Sequence, residues 1–166
     1  MSNNPPCVSE AALAAAAAAA ATPQPATLDY SFAFPGGAYC LAMARTVVRR
    51  LLSDHGLADM SELGTLAASE LIAHACQFTP GQGVSLSLRW RFGVLRLTVF
   101  DEHPAHTATA RKACHARRRE ALSTLDTVVG SCGGIVGLDH MGTPLSGGSK
   151  MWVALSREAA RNYARL

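Results

Sequence analysis

The stretch Val84–Asp101, VSLSLRWRFGVLRLTVFD, decides the fold class. Its first half puts Val84, Leu86, Leu88 and Trp90 on one face and Ser85, Ser87 and Arg89 on the other. Its second half puts Leu95, Leu97 and Val99 on one side and Arg96, Thr98 and Phe100 on the other. Alternation with a period of two is the signature of a half-buried strand. The segments Val84–Trp90 and Val94–Phe100, turning at Arg91-Phe92-Gly93, therefore form an antiparallel hairpin with one face on a core. Asp101 continues the apolar phase, so its carboxylate falls at the end of a buried row.

Outward from this hairpin, Leu28–Phe34 alternates as a first strand and is broken by Pro35-Gly36-Gly37. From Tyr39 to about His55, Leu41, Ala44, Val47, Val48, Leu51 and Leu52 recur as one helical stripe, with Gly56 as its C-terminal cap. Ser61 is the expected N-cap of a second helix to about Phe78, burying Leu63, Leu66, Ala67 and Leu71. Beyond the hairpin, Asp101–Ala113 is polar, His-rich and carries a proline, and reads as a loop. A third helix covers about Cys114–Val129, with Leu122, Leu125, Val128 and Val129 inward. Cys132–His140 and Lys150–Leu155 form a closing hairpin over a glycine-rich connection, 142–148, and Ser156–Leu166 is a terminal helix. Gly133-Gly134 reads as strand or bulge flexibility. The order β-α-α-β-β-α-β-β predicts an α+β, two-layer sandwich: an antiparallel or mixed sheet covered on one face by helices. The expected division is an Ala/Pro-rich tail over residues 1–29, a domain over 30–158 and a helical tail over 159–166.

Composition excludes several classes. Ala11–Ala21 is alanine apart from Leu13, which favours helix but offers almost nothing to bury, so a fluctuating helix or disorder is expected. The run has the length of a signal-peptide core, yet no Lys or Arg precedes Arg45. No segment approaches the roughly 20 strongly apolar residues of a membrane span. The five scattered cysteines argue against a disulfide framework, and a cytoplasmic protein is expected. A net charge of +3 implies no nucleic acid by itself. Arg111, Lys112, Arg117, Arg118 and Arg119 do fall close together, and their first reading is a solvated helix face. No aromatic residues interleave with them, so single-strand stacking is not supported.

Two places hold residues suited to chemistry. Glu70 and His74 are spaced i,i+4 and share a helix face, either as a surface pair or as something more. Asp101 is either a ligand contact or a loop-capping acid. His103, His106, Cys114 and His115 offer borderline-soft metal ligands, but their spacing matches no common zinc signature and half of them lie on the expected loop. Gly-x-Ser-x-Gly is absent, so Ser/His/Asp hydrolysis has no local motif.

Several segments together resemble the anti-sigma-factor serine kinase branch of the ATPase superfamily shared by gyrase, Hsp90 and histidine kinases. They are Phe34-Pro35-Gly36, Ala44-Arg45, Ser69-Glu70-Leu71-Ile72-Ala73-His74-Ala75, Val99-Phe100-Asp101 with Pro104, and Gly147-Gly148-Ser149-Lys150-Met151-Trp152. The resemblance spans about residues 34–155 and implies the histidine kinase-like ATPase fold. It implies that Glu70 is the general base, that Asp101 accepts the adenine amino hydrogen, and that His74, Ala121 and Lys150 lie at nucleotide-contacting positions. The cofactors implied are ATP and magnesium. The partners implied are a sigma factor or an anti-sigma antagonist, with a homodimer compatible.

The chain departs from that pattern twice. His74 stands where the family has a magnesium-binding asparagine, and imidazole replaces a hard oxygen ligand poorly. Arg119-Glu120-Ala121-Leu122 stands where the family resembles Gly-Arg-Gly-Leu, so both phosphate-cradling glycines are missing. The reading is a regulatory protein with weakened or lost ATP turnover that acts by protein binding. The alternatives are an active serine kinase of an anti-sigma antagonist and, more weakly, a nucleic-acid binder through the basic lid.

Overall fold

The computed structural model describes residues 9–18, 22–141 and 148–166. Residues 1–8, residues 19–21 at the end of the alanine-rich segment and residues 142–147 of the glycine-rich connection lie outside the described residues. Helix α1, Glu10–Ala18, comes first. Strand β1 (Asp29–Phe34) leads into helices α2 (Tyr39–Asp54) and α3 (Ser61–Phe78), followed by strands β2 (Val84–Arg91) and β3 (Val94–Asp101). Two helices, α4 (Ala108–Ala121) and α5 (Ser123–Ser131), precede strands β4 (Ile135–His140) and β5 (Ser149–Ser156) and helix α6 (Arg157–Tyr163).

The five strands form one antiparallel sheet in the order β1-β2-β3-β5-β4. The alternation read from the sequence sets its faces. Leu86 and Leu88 of β2, Leu95, Leu97 and Val99 of β3, and Met151, Val153 and Leu155 of β5 are all buried. They meet the buried stripes of α2 (Cys40, Ala44, Val48, Leu52) and α3 (Leu63, Ala67, Leu71, Ile72, Ala75). The β2–β3 turn is two residues, Phe92 (φ 51°) and Gly93 (φ 79°), with Arg91 paired to Val94. Both central residues take positive φ, as a turn matching the right-handed twist of a hairpin requires.

The structure differs from the sequence reading in several places: β4 begins at Ile135 where a strand from Cys132 was expected, and Arg91, read as turn, is the last residue of β2. The first residue of α3 is Ser61 itself, with Met60 before it and no side-chain cap, so Ser61 is not the N-cap expected. The expected single helix over 114–129 is two. The first begins at Ala108, inside the segment read as a loop, and the chain re-aims at Leu122. Gly133-Gly134 is not strand flexibility. Gly133 (φ 87°) donates to the Gly130 carbonyl and Gly134 to that of Val129, the paired bonds of a Schellman closure on α5. Gly56 (φ 68°) closes α2 in the same way, as expected. The segment from residue 159, read as a helical tail, is helical to Tyr163, with Ala159 and Ala160 in the core. No helix among the described residues is long and apolar enough to cross a membrane.

Candidate functional site

The site is built where β3 ends. Asp101 pairs in register with Val84 of β2 and Ser149 of β5, so its side chain follows Val99 inward and is fully buried. A carboxylate taken out of water needs partners for both oxygens. It has three. The Ser149 hydroxyl donates to Oδ1 at 2.6 Å, the backbone N–H of His103 donates to the same oxygen at 3.3 Å, and the Arg118 guanidinium closes an ion pair through Nη2 and Oδ2.

Arg118 arrives from α4, and its side chain is also fully buried. Within that polar helix only Cys114 and Arg118 are buried, one turn apart. Arg111, Lys112, Arg117 and Arg119 stay exposed, so four members of the basic run form the solvated face expected and the fifth is turned inside. The Arg118 guanidinium also lies 3.6 Å from Met151 Sδ and sits over the Phe78 ring at 5.2 Å. Its Nε is buried without a hydrogen-bond partner among the described residues, a cost carried by the rest of the cluster.

His74 completes it. The ring donates its Nε2–H to the Arg118 carbonyl at 2.9 Å and stacks on Phe78, with centroids 4.6 Å apart. Nδ1 is then the unprotonated nitrogen, and it faces Arg118 Nη2 at 3.5 Å. Burial, reinforced by the arginine charge and opposed by the carbonyl bond and by Asp101, lowers the His74 pKa to about 4. The imidazole is neutral at pH 7, and both of its nitrogens are engaged by one arginine.

Of the residues expected to form a nucleotide site, Asp101 and His74 are thus brought together, through Arg118. The others are not. Glu70 is exposed one turn before His74 on α3, and among the described residues no hydrogen bond or ion pair joins the two. Ala121 is exposed at the last residue of α4. Lys150 alternates out of phase with Ser149 and Met151, so it projects from the opposite sheet face and pairs with Asp139 at 3.2 Å. The donor set does not suit magnesium with ATP. The acceptor that the resemblance assigns to adenine is occupied by a guanidinium, and the position it assigns to magnesium carries an imidazole whose two nitrogens are both engaged.

Sequence reasoning missed Arg118. The signal was present: residues 114, 118, 122, 125 and 129 recur at helical spacing, and a buried Asp101 demanded a cation. A cleft of 410 Å³ opens beside the cluster, lined by Phe100, Asp101, His103, Pro104, Met141 and Ser149 among others.

No protein-family model matches the chain, and no curated protein matches it.

Proposed function

We propose that this chain is a degenerate relative of the anti-sigma serine kinases, a cytoplasmic regulatory module that binds a protein partner and no longer turns over ATP. The observation that carries the reading is the buried Arg118 guanidinium on Asp101. An internal cation there satisfies the carboxylate that the resemblance assigns to adenine. Glu120 and the missing glycines at the end of α4 point the same way, because they remove bare backbone donors for phosphate. The element order and the antiparallel sheet are compatible with the histidine kinase-like ATPase fold. Tyr39 and Met43, exposed on α2, supply apolar surface for a partner such as a sigma factor or an anti-sigma antagonist.

Calorimetric titration of the full chain with ATP, with and without magnesium, tests this. The expected result is no saturable heat at millimolar ATP. Magnesium-dependent micromolar binding, on the order of −8 kcal/mol, would overturn it and favour the active-kinase reading. Under that reading Glu70, still exposed on α3, is the general base, and Glu70→Ala abolishes serine phosphorylation without loss of partner binding.

A further inference from the structure

The segment after β3 does something the sequence spacing concealed. Because α4 begins at Ala108, Cys114 lies on an ordered turn that faces back toward the 102–107 connection. His103, His106 and Cys114 converge there, with one ligand atom from each within 4.8 Å of the other two. His103 and Cys114 are buried, and His103 Nε2 lies 3.3 Å from Cys114 Sγ. The His103 and His106 rings are 4.9 Å apart.

The hydrogen bonds say which atoms are available. His103 donates Nδ1–H to the Pro104 carbonyl at 3.1 Å, which leaves Nε2 as the lone-pair nitrogen facing the thiol. A backbone carbonyl on the remote nitrogen is the usual arrangement behind a metal-ligating imidazole. His106 Nε2 is buried and has no hydrogen-bond partner among the described residues, a polar atom in need of one. The nearby Arg118 charge is compensated by Asp101, to which the His103 amide is bonded.

We propose that His103, His106 and Cys114 form a binding site for a borderline-soft divalent transition-metal ion, zinc being the best match, which fastens α4 to the end of β3. Bonds of about 2.0–2.3 Å in a tetrahedral shell set ligand atoms about 3.4–3.6 Å apart. The His103 to Cys114 separation, 3.3 Å, is close to that, and a separation at the 4.8 Å limit closes by about 1.2–1.4 Å through side-chain rotation. Binding replaces the thiol proton: the ion takes the sulfur lone pair, and the proton leaves to water. Two imidazoles and one thiolate are the three protein ligands, and water fills the fourth position. His115 stays outside the set, since its ring tilts against His140 with centroids 5.0 Å apart. None of the three ligands is a residue of the nucleotide reading (Glu70, His74, Asp101, Ala121 and Lys150), although the His103 amide is bonded to Asp101.

The test is titration of the chelator-stripped full chain with Zn²⁺ against a chromophoric competitor, and with Co²⁺ as an optical probe. One equivalent should bind, with a thiolate-to-cobalt charge-transfer band and a rise in melting temperature. Cys114→Ser should abolish the band, and His106→Ala, at a half-buried position, should weaken Zn²⁺ binding by at least ~100-fold. Cys76→Ser should change neither. Far-UV circular dichroism shows whether each variant is folded. An unstoichiometric titration, or a band retained in Cys114→Ser, would overturn the proposal. So would binding undiminished in a folded His106→Ala.

Discussion

Two aspartate–arginine clusters sit toward opposite ends of β2, and they differ in almost everything but their chemistry. At one end Asp29 of β1 meets Arg89 at 3.0 Å and Arg91 at 3.1 Å, with all three side chains between 36% and 56% exposed. At the other, Asp101 meets Arg118 with both side chains fully buried. The exposed cluster gains little, because water and salt screen it and ordering long side chains costs entropy. In the buried one the attraction is strong, but so is the loss of hydration, and the pair persists only because Ser149 and the His103 amide complete the carboxylate. The same residue types are ornament in one place and a structural requirement in the other. The difference lies in what surrounds them.

The sharpest way to break the comparison is to remove one partner from each cluster. Arg118→Ala leaves a buried carboxylate without its cation and should cost about 3–5 kcal/mol in urea unfolding. Replacing both partners together, Asp101→Leu with Arg118→Met, should cost far less than the sum of the single changes, because no orphan charge remains. A near-additive double variant would mean that the two charges do not depend on each other.

Acid should distinguish the ends next. His74 faces Arg118, Asp101 and, at longer range, His103. Its folded pKa of about 4 lies below the ordinary value near 6.5, so the unfolded chain binds the proton more readily between those values. Its contribution is therefore complete above about pH 6.5, falls as pH drops toward 4 and is spent below it. The loss amounts to roughly 3 kcal/mol across that window. His74→Gln should flatten this part of the stability profile, and an unchanged slope would show that other groups carry it. Smallest of all, Asp29→Ala should change stability by at most about 1 kcal/mol, and less in high salt.

The hairpin faces and the depth of Asp101 were legible because alternation is local and strict: each residue's side follows from its neighbour's. The stripe of α2 and its glycine closure were legible for the same reason at helical spacing. Arg118 was not, because a basic run reads as one solvated surface until the helix carrying it has a phase, and that phase depends on where α4 begins. Its start was hidden by Pro104 and the histidines, which suggested loop as far as Ala113. The convergence of His103, His106 and Cys114 depends on the same boundary. Ser61 misled for a different reason. The 3-10 turn Ala58–Met60 runs straight into α3, so no free helix end remains there for a serine to cap.

The sealed cluster also has an address in time. Asp101 reaches across 17 residues to Arg118 and 48 to Ser149, and His74 reaches across 44 to Arg118. The cluster is complete only when α3, β3, α4 and β5 have all docked, whereas the β2–β3 hairpin needs only its own two-residue turn. Bonds of that sequence separation are expected to close after the local hairpin. Arg118→Ala should then act mainly on how fast the domain opens, with little change in how fast it forms, as stopped-flow unfolding and refolding would read.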